Sequence, residues 1–197
     1  MSLKHFFFDI ETTGLNPAKN GIHQISCEIV IDGITKEARD WKVRPNPQAI
    51  IEQEALDVAG VTKEQILAYP PMKDIYLQLI HTLSQYVDRY SRTDKFFLAG
   101  YNNAAFDNQF LRGFFLQNAD NYFGSWFWSN SIDVMVLATQ HLLDRRAKME
   151  NFKLATVAKE LGITMDESKL HDASYDLYLT KAIYEIVTPL NILKESR

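Results

Sequence analysis

One cysteine, Cys27, stands in a chain of 197 residues. That excludes an internal disulfide framework and any zinc site built from several cysteines. It also fits a reducing, cytoplasmic compartment. Cys27 itself reads as a small buried core residue. No apolar run approaches the ~18 residues a membrane helix needs. The start, Met1 to Asp9, has a short apolar run that Asp9 and Glu11 interrupt at once, so no secretory signal is expected. Basic charge is also scarce: 21 Lys and Arg against 25 Asp and Glu leave a net charge of -4. A broad basic face for long duplex DNA is therefore not expected. A nucleic-acid partner would be gripped over a short stretch, or with bound cations in place of missing lysines and arginines. Glycine (8) and proline (6) are few, and fall between periodic segments rather than in a linker.

What is present is a core. The chain is 46% hydrophobic and 12% aromatic, enough for one full domain spanning 1–197. Lys4 to Ile10, Ile22 to Ile31 and Thr35 to Val43 read as strands. Asp32-Gly33 forms a hairpin turn between the last two, and Pro45 to Pro47 ends the third. Helices are expected over Ala49–Val58, after a capping box at Thr62 to Gln65, and over Met72–Tyr90 with Ile75, Leu79, Leu83, Tyr86 and Tyr90 on its apolar row. Lys95 to Gly100 reads as a short buried strand. Helices over Asn103–Gln117 (with Asn102 or Asn103 as cap), Val134–Leu143, Lys153–Leu161 and Ala173–Val187 complete the pattern. Strands first, then strand and helix mixed, predict an α/β domain with a mixed sheet.

Three stretches carry chemistry. In Phe8-Asp9-Ile10-Glu11, residues two apart on a strand share a face, so Asp9 and Glu11 present two carboxylates together. Divalent cations offset such repulsion, and hard oxygen ligands suit Mg²⁺ or Mn²⁺. Asp107 falls in the first turns of a helix; alone, it reads as a surface acid favoured by the helix dipole. His171 lies in a loop, and Asp176 begins a row with Leu179, Ile183 and Ile186. A carboxylate on an apolar row is costly to bury unpaired, while a histidine near neutral pH suits general-base work. Four carboxylates and one histidine converging at a sheet edge would make a phosphodiester hydrolase. Two cations ~4 Å apart stabilise the attacking and leaving oxygens of an in-line displacement.

These residues resemble the DEDDh group of 3′→5′ exonucleases, over roughly Leu3 to Val187. Within that group, Gly100-Tyr101-Asn102-Asn103, Phe106-Asp107, Tyr122 to Trp128, Ser131 to Met135 and His171-Asp172-Ala173 look like the nuclease domain of exodeoxyribonuclease I enzymes. The resemblance implies a ribonuclease H-like fold, with a central mixed β-sheet flanked by helices. It implies two Mg²⁺ or Mn²⁺ ions held by Asp9, Glu11, Asp107 and Asp176, with His171 as general base. Thr12, Thr13, Gly14, Leu15, Asn103 and Phe106 would line the pocket for the 3′ nucleotide, Leu15 as an apolar wedge. The expected reaction is hydrolysis of single-stranded DNA from its 3′ end, releasing nucleoside 5′-monophosphates. Single-stranded RNA, as for ribonuclease T-like enzymes, or proofreading beside a polymerase are the alternatives. Polymerase association and a homodimer are the protein partnerships left open. An inactive nucleic-acid-binding subunit is disfavoured because no ligand position is missing. The accessory domains of exodeoxyribonuclease I enzymes are not expected in a chain that ends at Arg197, which argues against high processivity.

Two further features have two readings each. The aromatic run Tyr122 to Trp128 reads as core filling, or as a stacking platform for bases. The basic groups Arg145, Arg146, Lys148, Lys153 and Arg89, Arg92, Lys95 read as solvated faces, or as phosphate contacts.

Overall fold

The computed structural model describes residues 2–188; the chain end at Arg197 lies outside them. Five strands form one sheet in the order β3-β2-β1-β4-β5. β1 (Lys4–Thr12), β2 (Ile22–Ile31) and β3 (Ile34–Lys42) run antiparallel in succession. β4 (Phe97–Gly100) lies parallel to β1, and β5 (Ile132–Asp133) parallel to β4. The expected mixed sheet is present, although the two-residue β5 is too short to leave a periodic trace. Asp32 and Gly33 both take positive φ in the hairpin, as a turn matched to strand twist requires.

β1 alternates strictly. Phe6, Phe8 and Ile10 enter the larger core with Ile25, Cys27 and Ile29 of β2. α3 (Met72–Ser84), α4 (Asp107–Gln117) and the short α5 (Phe123–Trp126) cover that face. Phe7 enters the opposite face, edge-on to Tyr184 of α8 (Ala173–Val187) at 5.1 Å. α6 (Val134–His141) and α7 (Leu154–Glu160) pack with α8 into a second core. Lys181 of α8 bonds Glu28 at 2.5 Å and Thr35 at 2.7 Å, pinning the helix across the hairpin.

Several boundaries differ from the sequence expectation. α1 covers only Gln53–Ala59. Ahead of it, Ile50 and Glu52 donate their N–H groups to the carbonyls of Lys19 and Thr13, which keeps that segment extended. The capping box at Thr62 forms and opens α2 (Lys63–Leu67). α3 stops at Ser84, so Tyr90 is 86% exposed rather than on a buried row. α4 begins at Asp107, because Asn102 adopts a left-handed φ of 59° and breaks the helix before it starts. Neither Asn102 nor Asn103 caps it by side chain. On α8, Val187 is buried and Ile186 is exposed, so the row from Asp176 runs through Thr180 and Ile183 to Val187. Phe123, Trp126 and Phe127 fill the core and Tyr122 is exposed. Cys27 is buried, as expected.

Candidate active site

The site is built at the carboxyl end of β1. Asp9 and Glu11 share the face opposite the Phe6–Phe8–Ile10 row. A register shift against β2 between Glu11 and Thr12 ends the regular ladder there. α8 lies across that face and contributes Asp176 from its first turn. Oxygens of Asp9, Glu11 and Asp176 all lie within 4.8 Å of one another. The expected surface position for Asp107 is overturned: it is 5% exposed, at the first residue of α4, next to the end of β1. It stands outside the tight trio but acts on Asp9 more strongly than any other charge.

Proton affinities follow from this crowding. Burial, then Asp107, Glu11 and Asp176, pushes Asp9 well above the usual carboxylate range. Burial with Asp176 and Asp107 alongside raises Glu11 to about 8, against the opposing charge of Lys42. Asp107 is raised to about 7 by burial, opposed by its own N–H and that of Ile10. Asp176 is raised to about 6 by burial, with His171 pulling it down. All four carboxyl groups thus hold their protons more tightly than a free carboxyl does.

The residues fit divalent cations. The donors are all carboxylate oxygens, the ligand type hard cations take. Asp176 Oδ1 is buried with no hydrogen-bond partner. A bare buried oxygen on a member of this trio is suited to take a cation, and Oδ2 is already oriented by the N–H of His171 at 3.3 Å. His171 is exposed and holds a left-handed φ of 66° in the turn just before α8, where its backbone N–H meets Asp176.

The segment after β1 is anchored from below. Thr13 donates to the carbonyl of Ile50 at 2.7 Å and accepts from the N–H of Gly21 at 2.9 Å, so its side chain is structural. Thr12 bonds the carbonyl of Gly14 at 2.8 Å. A Cβ on Gly14 would sit 2.4 Å from the Asn20 side chain, so the close approach needs glycine. Leu15 projects from this loop with 79% exposure. Across the site Asn103 is buried, bonded to Asn108 at 3.2 Å, and Phe106 packs on Phe110 at 4.9 Å.

Asn20 and Lys42 carried no recognised signal in the sequence, and Asp133 was read only as part of the Ser131 to Met135 resemblance. Asn20, 2% exposed, accepts from Asn16 N–H and donates to Ile50 and Glu52, clasping the loop. Lys42 lies 3.7 Å from Asp172 and is the cation that opposes Glu11 protonation. Asp133 caps α6 and accepts from Asn102 N–H, fixing the turn before α4.

The mixed five-stranded sheet, with acidic residues gathered at the end of its central strand, is a ribonuclease H-like fold. A family model described as exonuclease (RNase_T) matches residues 6–184, and the chain belongs to that family. Exodeoxyribonuclease I of Escherichia coli K12 is 27% identical over 195 residues, covering 92% of this chain and 39% of that protein. The PolC-type DNA polymerase III of Mycoplasmopsis pulmonis is 24% identical over 192 residues, 98% of this chain and 12% of the polymerase. The chain therefore spans well under half the length of either relative. A crystal structure of E. coli Exonuclease I in complex with a dT13 oligonucleotide superposes with a TM-score of 0.72 at 22% identity, covering 94% of this chain and 41% of the other. Among the described residues, no helix is long and apolar enough to cross a membrane.

Proposed function

We propose that this chain is a divalent-cation-dependent 3′→5′ exonuclease that trims single-stranded DNA and releases nucleoside 5′-monophosphates. The observation that carries this reading is the meeting of Asp9, Glu11 and Asp176 within 4.8 Å, with buried Asp107 alongside and His171 at the rim. The exodeoxyribonuclease I relatives and the oligonucleotide-bound fold neighbour favour DNA as substrate.

Asp9, Glu11 and Asp176 would hold Mg²⁺ or Mn²⁺, with Asp107 completing a second position. Bound there, two such ions supply the positive charge that stabilises a pentavalent phosphorus and its leaving oxygen. The protein's own residues do the rest. His171 accepts a proton from the attacking water as its oxygen bonds to the last phosphorus. The P–O3′ bond to the penultimate nucleotide breaks, and that 3′ oxygen takes up a proton from solvent. Leu15 and Phe106 enclose the terminal base between apolar surfaces. Asn103 and the backbone of Thr12, Thr13 and Gly14 meet the sugar.

The PolC-type relative favours proofreading as a second reading. Digestion of 5′-labelled single-stranded DNA, RNA and mismatched primer–template, with EDTA, Mg²⁺ or Mn²⁺, separates these. A cation-dependent ladder on single-stranded DNA is expected. Faster shortening of RNA would reassign the substrate, preference for mismatched termini would favour proofreading, and no ladder on any substrate would end the exonuclease reading.

A further inference from the structure

We propose that the nucleotides upstream of the 3′ end run along a second, basic-aromatic cleft on the outer flank of α4. This rests on the exonuclease reading and extends it to how the strand is held. The cleft has a volume of about 700 Å³ and is bounded by Pro17 and Ala18 on one side and α4 on the other. These two segments also frame the proposed terminal pocket. Asn108 lines the cleft and bonds both Asn103 of the pocket and Ser131 of the far wall, at 3.2 and 3.0 Å. The two spaces are thus joined through one side chain.

Charge identifies the occupant. In a chain of net charge -4, three cations gather along this flank with no carboxylate partner among the described residues. Arg112 lies 4.4 Å from the Phe123 ring centroid, its guanidinium hydrogen-bonded to nothing in the described structure. Lys95 sits 5.5 Å from the ring of Trp128, a residue lining the cleft, and donates only to the carbonyl of Gly124. Arg89 lies 5.7 Å from the ring of exposed Tyr122. The acids on this side are already engaged: Asp94 with Lys4, and Asp120 with the hydroxyl of Tyr76. Phe123 is buried and only seats Arg112, whereas Trp128 is half-buried and Tyr122 exposed; cations beside those two open rings suit a strand that offers phosphates and base faces. A rigid duplex offers its bases to no ring, so the cleft selects an unpaired strand.

The test is binding of 5′-fluorescein dT3 and dT10 in EDTA, read by anisotropy, for wild type and for the Lys95→Gln/Arg112→Gln double variant. Both substituted side chains reach solvent, and thermal melting confirms that the variant folds. Wild type should bind dT10 more tightly than dT3. The double variant should lose that gain by about tenfold, and its slope of log affinity against log salt should fall by about 1.4, for two lost phosphate contacts. Its dT3 affinity should match wild type. Equal wild-type affinity for dT3 and dT10, an undiminished gain in the variant, or equal losses on both lengths would each overturn the cleft. The wild-type digestion described above reports separately on the exonuclease reading.

Discussion

Asp176 illustrates how a single side chain ties stability to chemistry. One of its oxygens is buried without a donor while its neighbours Asp9 and Glu11 are acids. Asp176→Asn removes a charge from that cluster and weakens cation binding. Nuclease activity should fall by about 10³-fold or more, as several kcal/mol of charge stabilisation is lost. In EDTA at pH 8, the same variant should melt above wild type, because like-charge repulsion is relieved. A digestion assay and a melting curve on one preparation check both halves. The acids that meet, Asp9, Glu11 and Asp176, each left a local trace: Asp-x-Glu on a strand, and an acid at the head of a core-facing row. The burial of Asp107 was not legible. Its sequence context shows only a helix start, and the neighbouring end of β1 that buries it is about a hundred positions away.

Elements show the same division. The β-rich run of β1 and the hairpin turn revealed the antiparallel opening with boundaries within two residues. Helix ends were read too long at α3, which stops at Ser84, and at α1 and α4, where backbone contacts from a distant segment or a left-handed residue override propensity. The loop after β1 depends on Asn20, whose role arises wholly from tertiary contact. Asn20→Ala removes the donor to Glu52 and one of the two donors to the Ile50 carbonyl, which keeps Thr13, and should destabilise the fold by about 2 kcal/mol. The proposed wedge Leu15 rides on that loop, so KM should rise more than kcat falls. Steady-state kinetics on dT10 together with urea unfolding measure the two effects.

At the scale of the whole molecule, the acidic cluster sets a pH response. Unfolded, Glu11, Asp107 and Asp176 lose their protons near pH 4; folded, they keep them until about 8, 7 and 6. Between these limits the folded state binds more protons, so stability without cations should decline as pH rises from about 4 to about 8. Mg²⁺ or Mn²⁺ binds the ionised folded state and should restore it, most strongly at the alkaline end. Melting temperatures across that range, with EDTA and with each cation, test the sign. A flat profile in EDTA would contradict the raised proton affinities.

Cys27 sits across the β1–β2 ladder from Phe8, one residue before Asp9, and its thiol is sealed in the core with burial raising its proton affinity. An alkylating reagent can reach it only when the core packed on that face of the sheet opens. The protein thus carries a native stopwatch for the opening of the core beneath the strand that bears its first two carboxylates, with no label needing to be introduced.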